Sequence, residues 1–285
     1  MSPPRTEAPQ RIPSPDLARR AAITAVAITA VGLLLTTSHG LTALLAATLF
    51  VGGYEYRSLT APGGRRGERI ASGLATVLAG AAAPFAALAH VAGGPLVLAI
   101  LALTIAIVAF VPRRVVARDA RPGLLVTIAG PIYFGILLSF LFLLQEPGGA
   151  HRHYWVWLAL AVAWGGDIGG YVVGRLWGHH PLAPTVSPRK TVEGAIGSLV
   201  LGSLAAWAVW NTDRAALPLA TLAWLAPSAQ VLSQAGDLLE SRVKRLSGAK
   251  DSGRILLEQG GLLDSIDGLC LAAPGIYFAA GLAWR

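Results

Sequence analysis

The sequence predicts an all-α fold: a polytopic, integral membrane helical bundle with about nine transmembrane helices and a cytoplasmic N-terminus. The first observation behind this prediction is composition, because the 285 residues are 54% hydrophobic and only 13% charged, whereas soluble domains carry roughly 25% charged residues. The second is the mean hydropathy of +0.59. The third is the placement of the basic residues, which sets the orientation.

Uncharged stretches long enough to cross about 30 Å of hydrocarbon recur along the chain. They predict spans at residues 21–38, 41–54, 123–144, 154–174, 195–210, 216–235 and 260–284, and two further spans share residues 71–112. Gly93, Gly94 and Pro95 interrupt the shared stretch, and they predict a tight hairpin turn between its two helices.

The basic residues alternate between the two sides of this predicted bundle. Loops on one side hold 20 of the 23 Lys and Arg residues, and the other side holds only Arg152, Arg214 and Arg285. The positive-inside rule assigns the richer side to the cytoplasm. We therefore expect a protein of the cell's inner membrane with no nucleic-acid partner, although its net charge is +8.

The chain divides into three predicted regions. Residues 1–20 contain five prolines among polar residues, which predicts a disordered cytoplasmic tail. Residues 21–150 form the N-terminal transmembrane helices, and residues 151–285 form a C-terminal transmembrane catalytic region. The single cysteine, Cys270, excludes an intrachain disulfide and a Cys-rich zinc site.

Four carboxylates fall at the cytoplasmic ends of predicted spans, where charge is costly and usually functional. They are Asp167, Asp237, Asp264 and Asp267. Asp264 and Asp267 are three residues apart, so on a helix they share one face. That spacing suits a divalent cation such as Mg²⁺ with oxygen ligands. Solvated acids at a helix N-terminus would show the same spacing.

A polar stripe follows the eighth predicted span. Asp237, Glu240, Ser241 and Lys244 recur at helical spacing, so a helix that continues past the span presents them on one face. Further charges follow at Arg245, Lys250, Asp251 and Arg254, before the Gly260 and Gly261 pair. Sites that bind nucleotides or transfer phosphoryl groups combine basic residues, which bind phosphate, with acidic residues, which bind a metal ion.

The connection between the sixth and seventh spans contains a second cluster of polar residues. Ser187 or Thr191 is suited to cap the seventh helix, and Lys190 to bind a phosphate. The glycines at 165, 166, 169, 170 and 174 predict close helix contact and are compatible with a homodimer. Glu55 lies just past the second span, and no role for it follows from the sequence.

The residues of this C-terminal region resemble a known family, the phosphatidate cytidylyltransferases, also called CDP-diacylglycerol synthases. The downstream part of the resemblance rests on Ser241, Lys244, Arg245, Lys250, Asp251, Gly260, Gly261, Asp264 and Asp267. The upstream part rests on Asp167, Gly170, Tyr171, Ser187, Lys190, Thr191 and Glu193. The chain departs from the family signature at Gln259, in place of a histidine, and at Ser265, in place of an arginine.

The resemblance implies that CTP and phosphatidic acid react in the lipid bilayer, with Mg²⁺ as cofactor, to give CDP-diacylglycerol and pyrophosphate. Asp264 and Asp267 would hold the metal, with Asp237 and Asp167 as further ligands. Lys244 and Lys250 would complete the catalytic set. The expected substrate-binding residues are Ser187, Lys190, Thr191, Ser241, Arg245, Asp251, Gln259, Gly260 and Gly261.

Other functions stay open at the level of sequence. A CTP-dependent transferase or kinase acting on another lipid or isoprenoid would differ mainly in its acceptor. An ion-coupled transporter would also carry acids inside the membrane, but such sites usually lie near the midplane in repeated halves. An inactive paralogue would explain Gln259 and Ser265.

Overall fold

The computed structural model describes residues 26, 29–34, 37, 39–61, 63–88, 130–145, 153–249, 251–253 and 260–283. The predicted tail at residues 1–20, the turn at residues 93–95, Lys250 and Gln259 lie outside the described residues. By its internal contacts the chain divides into Met1–Leu44 and Leu45–Arg285. All of the site described below belongs to the second unit.

The described residues are mostly helical, as the sequence predicts. In chain order the elements are α1 (Gly40–Thr60), α2 (Arg66–Leu88), α3 (Leu137–Leu143, entered through a π-helical turn at Pro131–Ile136), α4 (Tyr154–Trp177), β1 (Pro181–Ala183), β2 (Ser187–Thr191), α5 (Val192–Trp210), α6 (Leu219–Leu246) and α7 (Leu263–Ala283). The helices match the uncharged runs, because apolar segments of this length form helices when they are buried in a protein or cross a membrane. The short hairpin of β1 and β2 was not predicted.

Two of the described helices, α4 and α5, are long and apolar enough to cross a membrane. One face of α5 presents Ile196, Val200, Leu204 and Trp207, each between 50% and 56% exposed. These residues follow helical spacing and form a continuous apolar stripe. Helix α5 therefore turns an apolar surface outward from the bundle.

Helices α4 and α5 pack closely along the row of glycines. A Cβ atom added at Gly169 would collide with the carbonyl oxygen of Gly197. One turn away, Ser198 Oγ donates a hydrogen bond of 2.7 Å to the carbonyl oxygen of Gly166. The predicted close helix contact is confirmed, and small residues permit it in the way common for membrane helices.

Helix α6 packs against α5 and α7, and α7 also contacts α3 and α4. The middle of α7 is buried, and Cys270 lies within it. This cysteine is therefore a small residue of the core. Helix α6 ends at Leu246, and Gly248 follows with a positive φ of 70°. This left-handed residue terminates the helix, and the chain turns back toward the start of α7.

The hairpin of β1 and β2 fills the connection between α4 and α5. Its strands are antiparallel, with Pro181 opposite Thr191 and Ala183 opposite Ser187. Arg245 of α6 donates a hydrogen bond from Nε to the carbonyl oxygen of Val186, at 3.1 Å. The hairpin is thereby tied to the end of α6, and Lys190 is brought beside that helix.

Candidate active site

The candidate site lies where the end of α6 meets the beginning of α7 and the β hairpin. Helix α6 runs without a break from its predicted span to Leu246. The polar stripe of Asp237, Glu240, Ser241 and Lys244 is therefore on a helix, as predicted. Helix α7 begins at Leu263, so it carries Asp264 and Asp267 in its first two turns.

Lys244 forms a buried triad with two carboxylates. Its ammonium group pairs with Glu240, one turn earlier on α6, and with Asp264 of α7 at 2.7 Å. The exposed fractions of the side chains are 11% for Lys244, 2% for Glu240 and 12% for Asp264. We call this group the buried triad.

The backbone around the start of α7 fixes Asp264. Its carboxylate accepts hydrogen bonds from the amide of Gly261 at 2.7 Å and from the amide of Ser252 at 3.0 Å. Gly260 has a φ of 96°, and a Cβ atom there would collide with the carboxylate of Asp264. Glycine at 260 is thus required both by the turn and by the close approach of Asp264.

The charge state of Lys244 follows from its neighbours. Lys244 and Glu240 lie beyond Ala235, where the predicted span ends. Burial lowers the pKa of the Lys244 ammonium, but the charges of Glu240 and Asp264 outweigh burial and hold that pKa above its usual value. Burial raises the pKa of the Glu240 carboxyl above its usual value, and the charge of Lys244 offsets only part of that rise. Lys244 is therefore a permanent cation at neutral pH.

A second lysine pairs with a carboxylate nearer the surface. Lys190 of β2 forms an ion pair with Asp237 of α6, and the two side chains are 26% and 32% exposed. Ser241 Oγ donates to the same carboxylate over 3.4 Å. We call Lys190 and Asp237 the open pair.

Thr191 positions the end of the strand that carries Lys190. It is the N-cap of α5, and its hydroxyl accepts a hydrogen bond from the amide of Gly194 at 3.1 Å. Of the two capping residues that the sequence left open, Thr191 makes the cap, and Ser187 lies in β2 opposite Ala183.

The other two predicted metal ligands lie close to the open pair. Asp267 is buried, and it accepts a hydrogen bond from the amide of Gly268 at 2.6 Å. It lies within electrostatic range of Asp237, Glu240 and Asp167. Asp167 is exposed on α4, and it lies within electrostatic range of Asp237 and Lys190. Topology therefore does bring carboxylates from three helices into one neighbourhood.

The structure does not gather these carboxylates into a ready metal cage. Among the described residues, no group of three or more His, Cys, Asp or Glu side chains is placed to hold one ion. Asp264 and Asp237 each take a lysine partner instead. The assignment of magnesium to this set stays a prediction.

Some predicted substrate-binding residues have structural contacts here. Arg245 holds the hairpin through the carbonyl oxygen of Val186 and donates to that of Ala249 at 3.3 Å. The Gly261 amide holds Asp264. Asp251 is exposed. Their predicted roles toward substrate are not tested by these contacts.

A small cavity of about 20 Å³ lies beside the buried triad. Its lining includes Glu240 of α6, Tyr56 of α1 and Tyr133 before α3. The hydroxyl of Tyr133 is buried without a hydrogen-bond partner among the described residues. A cavity of this size has room for about one water molecule.

Sequence reasoning assigned no role to Glu55, yet the structure places it against this site. Glu55 is 3% exposed, and its carboxylate accepts a hydrogen bond of 2.9 Å from the amide of Leu263 at the start of α7. The available signal was an acidic residue in an apolar helix with no basic residue one turn away. Such a residue needs a partner from elsewhere in the fold.

The comparisons with known proteins agree with the resemblance. The sequence profile of the cytidylyltransferase family matches residues 18–282. A phosphatidate cytidylyltransferase of Mycobacterium bovis is 39% identical over 132 residues, which are 45% of this chain and 42% of that protein. The corresponding enzyme of Staphylococcus saprophyticus is 37% identical over 142 residues, covering 50% of this chain and 53% of the relative.

A phosphatidate cytidylyltransferase of Brucella suis is 41% identical over 160 residues, covering 52% of this chain and 54% of that protein. The chain therefore spans about two fifths to a half of the length of these relatives. All three relatives carry the same enzyme name.

Proposed function

Because this chain belongs to the cytidylyltransferase family, we propose that it is a phosphatidate cytidylyltransferase, which converts CTP and phosphatidic acid to CDP-diacylglycerol and pyrophosphate. The observation that carries the proposal is the meeting of two lysines with several carboxylates at one end of an apolar bundle, in the buried triad and the open pair. The names of the relatives favour this reaction over a transporter or another acceptor.

In the proposed reaction an oxygen of the phosphatidic acid phosphate attacks the α-phosphorus of CTP. The bond between the α-phosphorus and the bridging oxygen breaks, and pyrophosphate leaves. A phosphate monoester with a second pKa near 6 is already largely dianionic at pH 7. The nucleophile therefore needs no general base, which is compatible with Gln259 in place of a histidine.

The heavier demand is to hold two polyanions together, and this falls to the lysines. Before substrate binds, Lys190 pairs with Asp237, and Lys244 pairs with Glu240 and Asp264. An ammonium ion exchanges a carboxylate partner for a phosphate oxygen without a change in its own charge. Lys190 is the more accessible of the two and is the better placed to meet an entering triphosphate.

The carboxylates fit a magnesium ion through their chemistry. Mg²⁺ prefers hard oxygen ligands, and it is usually held by one or two carboxylates together with substrate phosphates. A preformed cage of three side chains is therefore not needed. We assign this role to the predicted set of Asp167, Asp237, Asp264 and Asp267. When bound, the ion would neutralise charge on the triphosphate and on the departing pyrophosphate.

The same proposal places the protein in the inner membrane with its site facing the cytoplasm. The apolar lengths of α4 and α5 and the outward apolar stripe of α5 support membrane insertion. The nine-span arrangement rests on hydropathy and on the positive-inside rule. CTP would enter from the cytoplasm and phosphatidic acid from the bilayer. The glycine row of α4 packs against α5 and α6 within the chain, so the expected homodimer would need a different surface.

The test is a pyrophosphate-release assay on the purified full chain in detergent. With phosphatidic acid, CTP and Mg²⁺ we expect release that stops when the lipid is omitted or EDTA is added. Asp264→Asn should abolish turnover without unfolding the bundle, because Lys244 keeps its contact with Glu240, and loss of the Asp264 charge favours ionisation of Glu240. The matched control is Asp213→Asn, in the turn between α5 and α6, far along the chain from every predicted site residue.

Two results would overturn this proposal. One is a wild-type protein that binds CTP but releases no lipid-dependent pyrophosphate, which would indicate an inactive paralogue. The other is an Asp264→Asn variant that keeps most of its rate.

A further inference from the structure

Glu55 of α1 caps a helix that lies more than 200 residues away in the sequence. Its carboxylate accepts hydrogen bonds from the amides of Leu262 and Leu263, at 3.2 Å and 2.9 Å. The first amides of a helix have no carbonyl partner within the helix. A negative charge at this end also interacts favourably with the helix dipole. Glu55 therefore stabilises the beginning of α7, the turn that carries Asp264.

The same carboxylate holds the segment that leaves α6. Ser252 Oγ donates to Glu55 Oε2 over 3.4 Å, while the amide of Ser252 donates to Asp264 at 3.0 Å. Ser252 thus connects Glu55 to Asp264 directly. One acid from α1 fixes both sides of the connection between α6 and α7.

The glycines around Glu55 show how closely the backbone approaches it. A Cβ atom at Gly253 would collide with Glu55 Oε1, and a Cβ atom at Gly261 would lie 2.6 Å from Glu55 Oε2. No side chain larger than glycine fits at either position unless Glu55 moves. In the part of the chain that the structure describes, the carboxylate is therefore closely packed against backbone, which leaves no room for substrate between Glu55 and these glycines.

Burial of the Glu55 carboxylate has an unfavourable desolvation free energy. Glu55 is 3% exposed, and no Lys or Arg among the described residues pairs with it. A buried carboxylate without a cation is costly unless its hydrogen bonds are well satisfied. Among the described residues, its partners are two amides and one hydroxyl, all within the connection that bounds the candidate site.

We propose that Glu55 is a positioning residue for cytidylyl transfer. It sets the start of α7 and the segment at 251–253 so that Asp264 meets Lys244. Glu55 acts through these residues and touches no substrate. The proposal rests on the proposed function, because positioning has a meaning only for a reaction at this site.

The test replaces Glu55 and follows both backbone protection and turnover. Glu55→Gln keeps the shape but removes the charge and turns one acceptor into a donor that faces an amide. We expect hydrogen exchange of the peptide covering residues 260–266 to rise by about tenfold or more, since hydrogen bonds to a charged group are worth about 1.5–3 kcal/mol. Exchange in α4 and α5 should stay unchanged.

The kinetic expectation separates positioning from support of the fold. In Glu55→Gln we expect kcat per folded molecule to fall about 100-fold, because small misplacement of catalytic groups has effects of that size. The KM for CTP should change less than threefold. Glu55→Asp keeps the charge on a shorter side chain, and it should restore part of both the protection and kcat. The matched control is Glu68→Gln, a half-exposed acid of α2 that pairs with Arg57.

A second variant covers the case in which Glu55→Gln does not fold. Ser252→Ala removes only the hydroxyl contact to Glu55, and we expect kcat to fall between twofold and tenfold with the same local rise in exchange. Wild-type kcat in both variants, or increased exchange spread over the whole bundle, would overturn the proposal. If the wild-type protein itself is inactive, the proposed function fails, and local exchange still reports whether Glu55 caps α7.

Discussion

The open pair and the buried triad are built from the same ion types, yet they differ in what surrounds them. In the open pair, Lys190 and Asp237 are about one quarter to one third exposed, and one hydroxyl supports the carboxylate. In the buried triad, Lys244 is 11% exposed and meets two carboxylates. Two backbone amides further fix one of those carboxylates, Asp264.

This difference in exposure indicates that the two groups have different roles in one site. Exposed ion pairs contribute little to stability, so their partners exchange readily. Breaking a buried pair leaves an uncompensated charge and is strongly destabilising. We infer that the open pair exchanges its partners with substrate more readily, whereas the buried triad also holds the frame of the site. The following variants test that difference.

The largest effect is expected from Lys244→Met. The substitution leaves Glu240 and Asp264 buried without their cation, which should lower the free energy of unfolding by about 3–5 kcal/mol and abolish turnover. Denaturant unfolding in detergent measures the first effect, and pyrophosphate release the second. The double variant with Glu240→Gln should recover part of the stability. A single variant as stable as the wild type would contradict the assigned role of the buried triad.

An intermediate effect is expected from Lys190→Met. Loss of the open pair should change the free energy of unfolding by less than about 1 kcal/mol. The KM for CTP should rise about 10- to 100-fold if Lys190 binds a phosphate oxygen, which corresponds to one charged hydrogen bond. Arg189→Met is the control, because neighbouring residues of a strand point to opposite faces. An equal rise in KM in the control would indicate general surface charge instead.

The smallest effect is expected from Thr191→Ala. Loss of the helix cap should lower the free energy of unfolding by about 1 kcal/mol, with a change in KM for CTP of about twofold through the adjacent Lys190. Thr191→Ser keeps the capping hydroxyl and should behave like the wild type. Identical thermal unfolding of the Ala and Ser variants would show that the hydroxyl bond to Gly194 contributes nothing.

The helices were predictable because a single physical variable marks them. Long uncharged runs gave spans at 154–174 and 195–210, and the structure has helices at Tyr154–Trp177 and Val192–Trp210. Periodic polar residues likewise predicted that α6 continues past residue 235, and it reaches Leu246. Hydropathy and periodicity are local properties, so they can be determined from the sequence alone.

The partners of the site residues were less predictable for the same reason. The pairing of Glu240 with Lys244 follows from their spacing of one helical turn. The pairing of Lys190 with Asp237 depends on how the hairpin lies against α6. That hairpin has strands of three and five residues without an alternating pattern. The contact of Glu55 with Leu263 depends on which helices are neighbours, and no local pattern carries that information.

The bond between Glu55 and Leu263 also constrains the order of assembly during biosynthesis. The two residues are 208 positions apart, and contacts between such distant segments form late because loop closure must come first. Because α1 precedes α7 in the sequence, α1 is synthesised first. The carboxylate of Glu55 can bind the amides of Leu262 and Leu263 only after α7 has been made, so the start of α7 is fixed only when both helices are present.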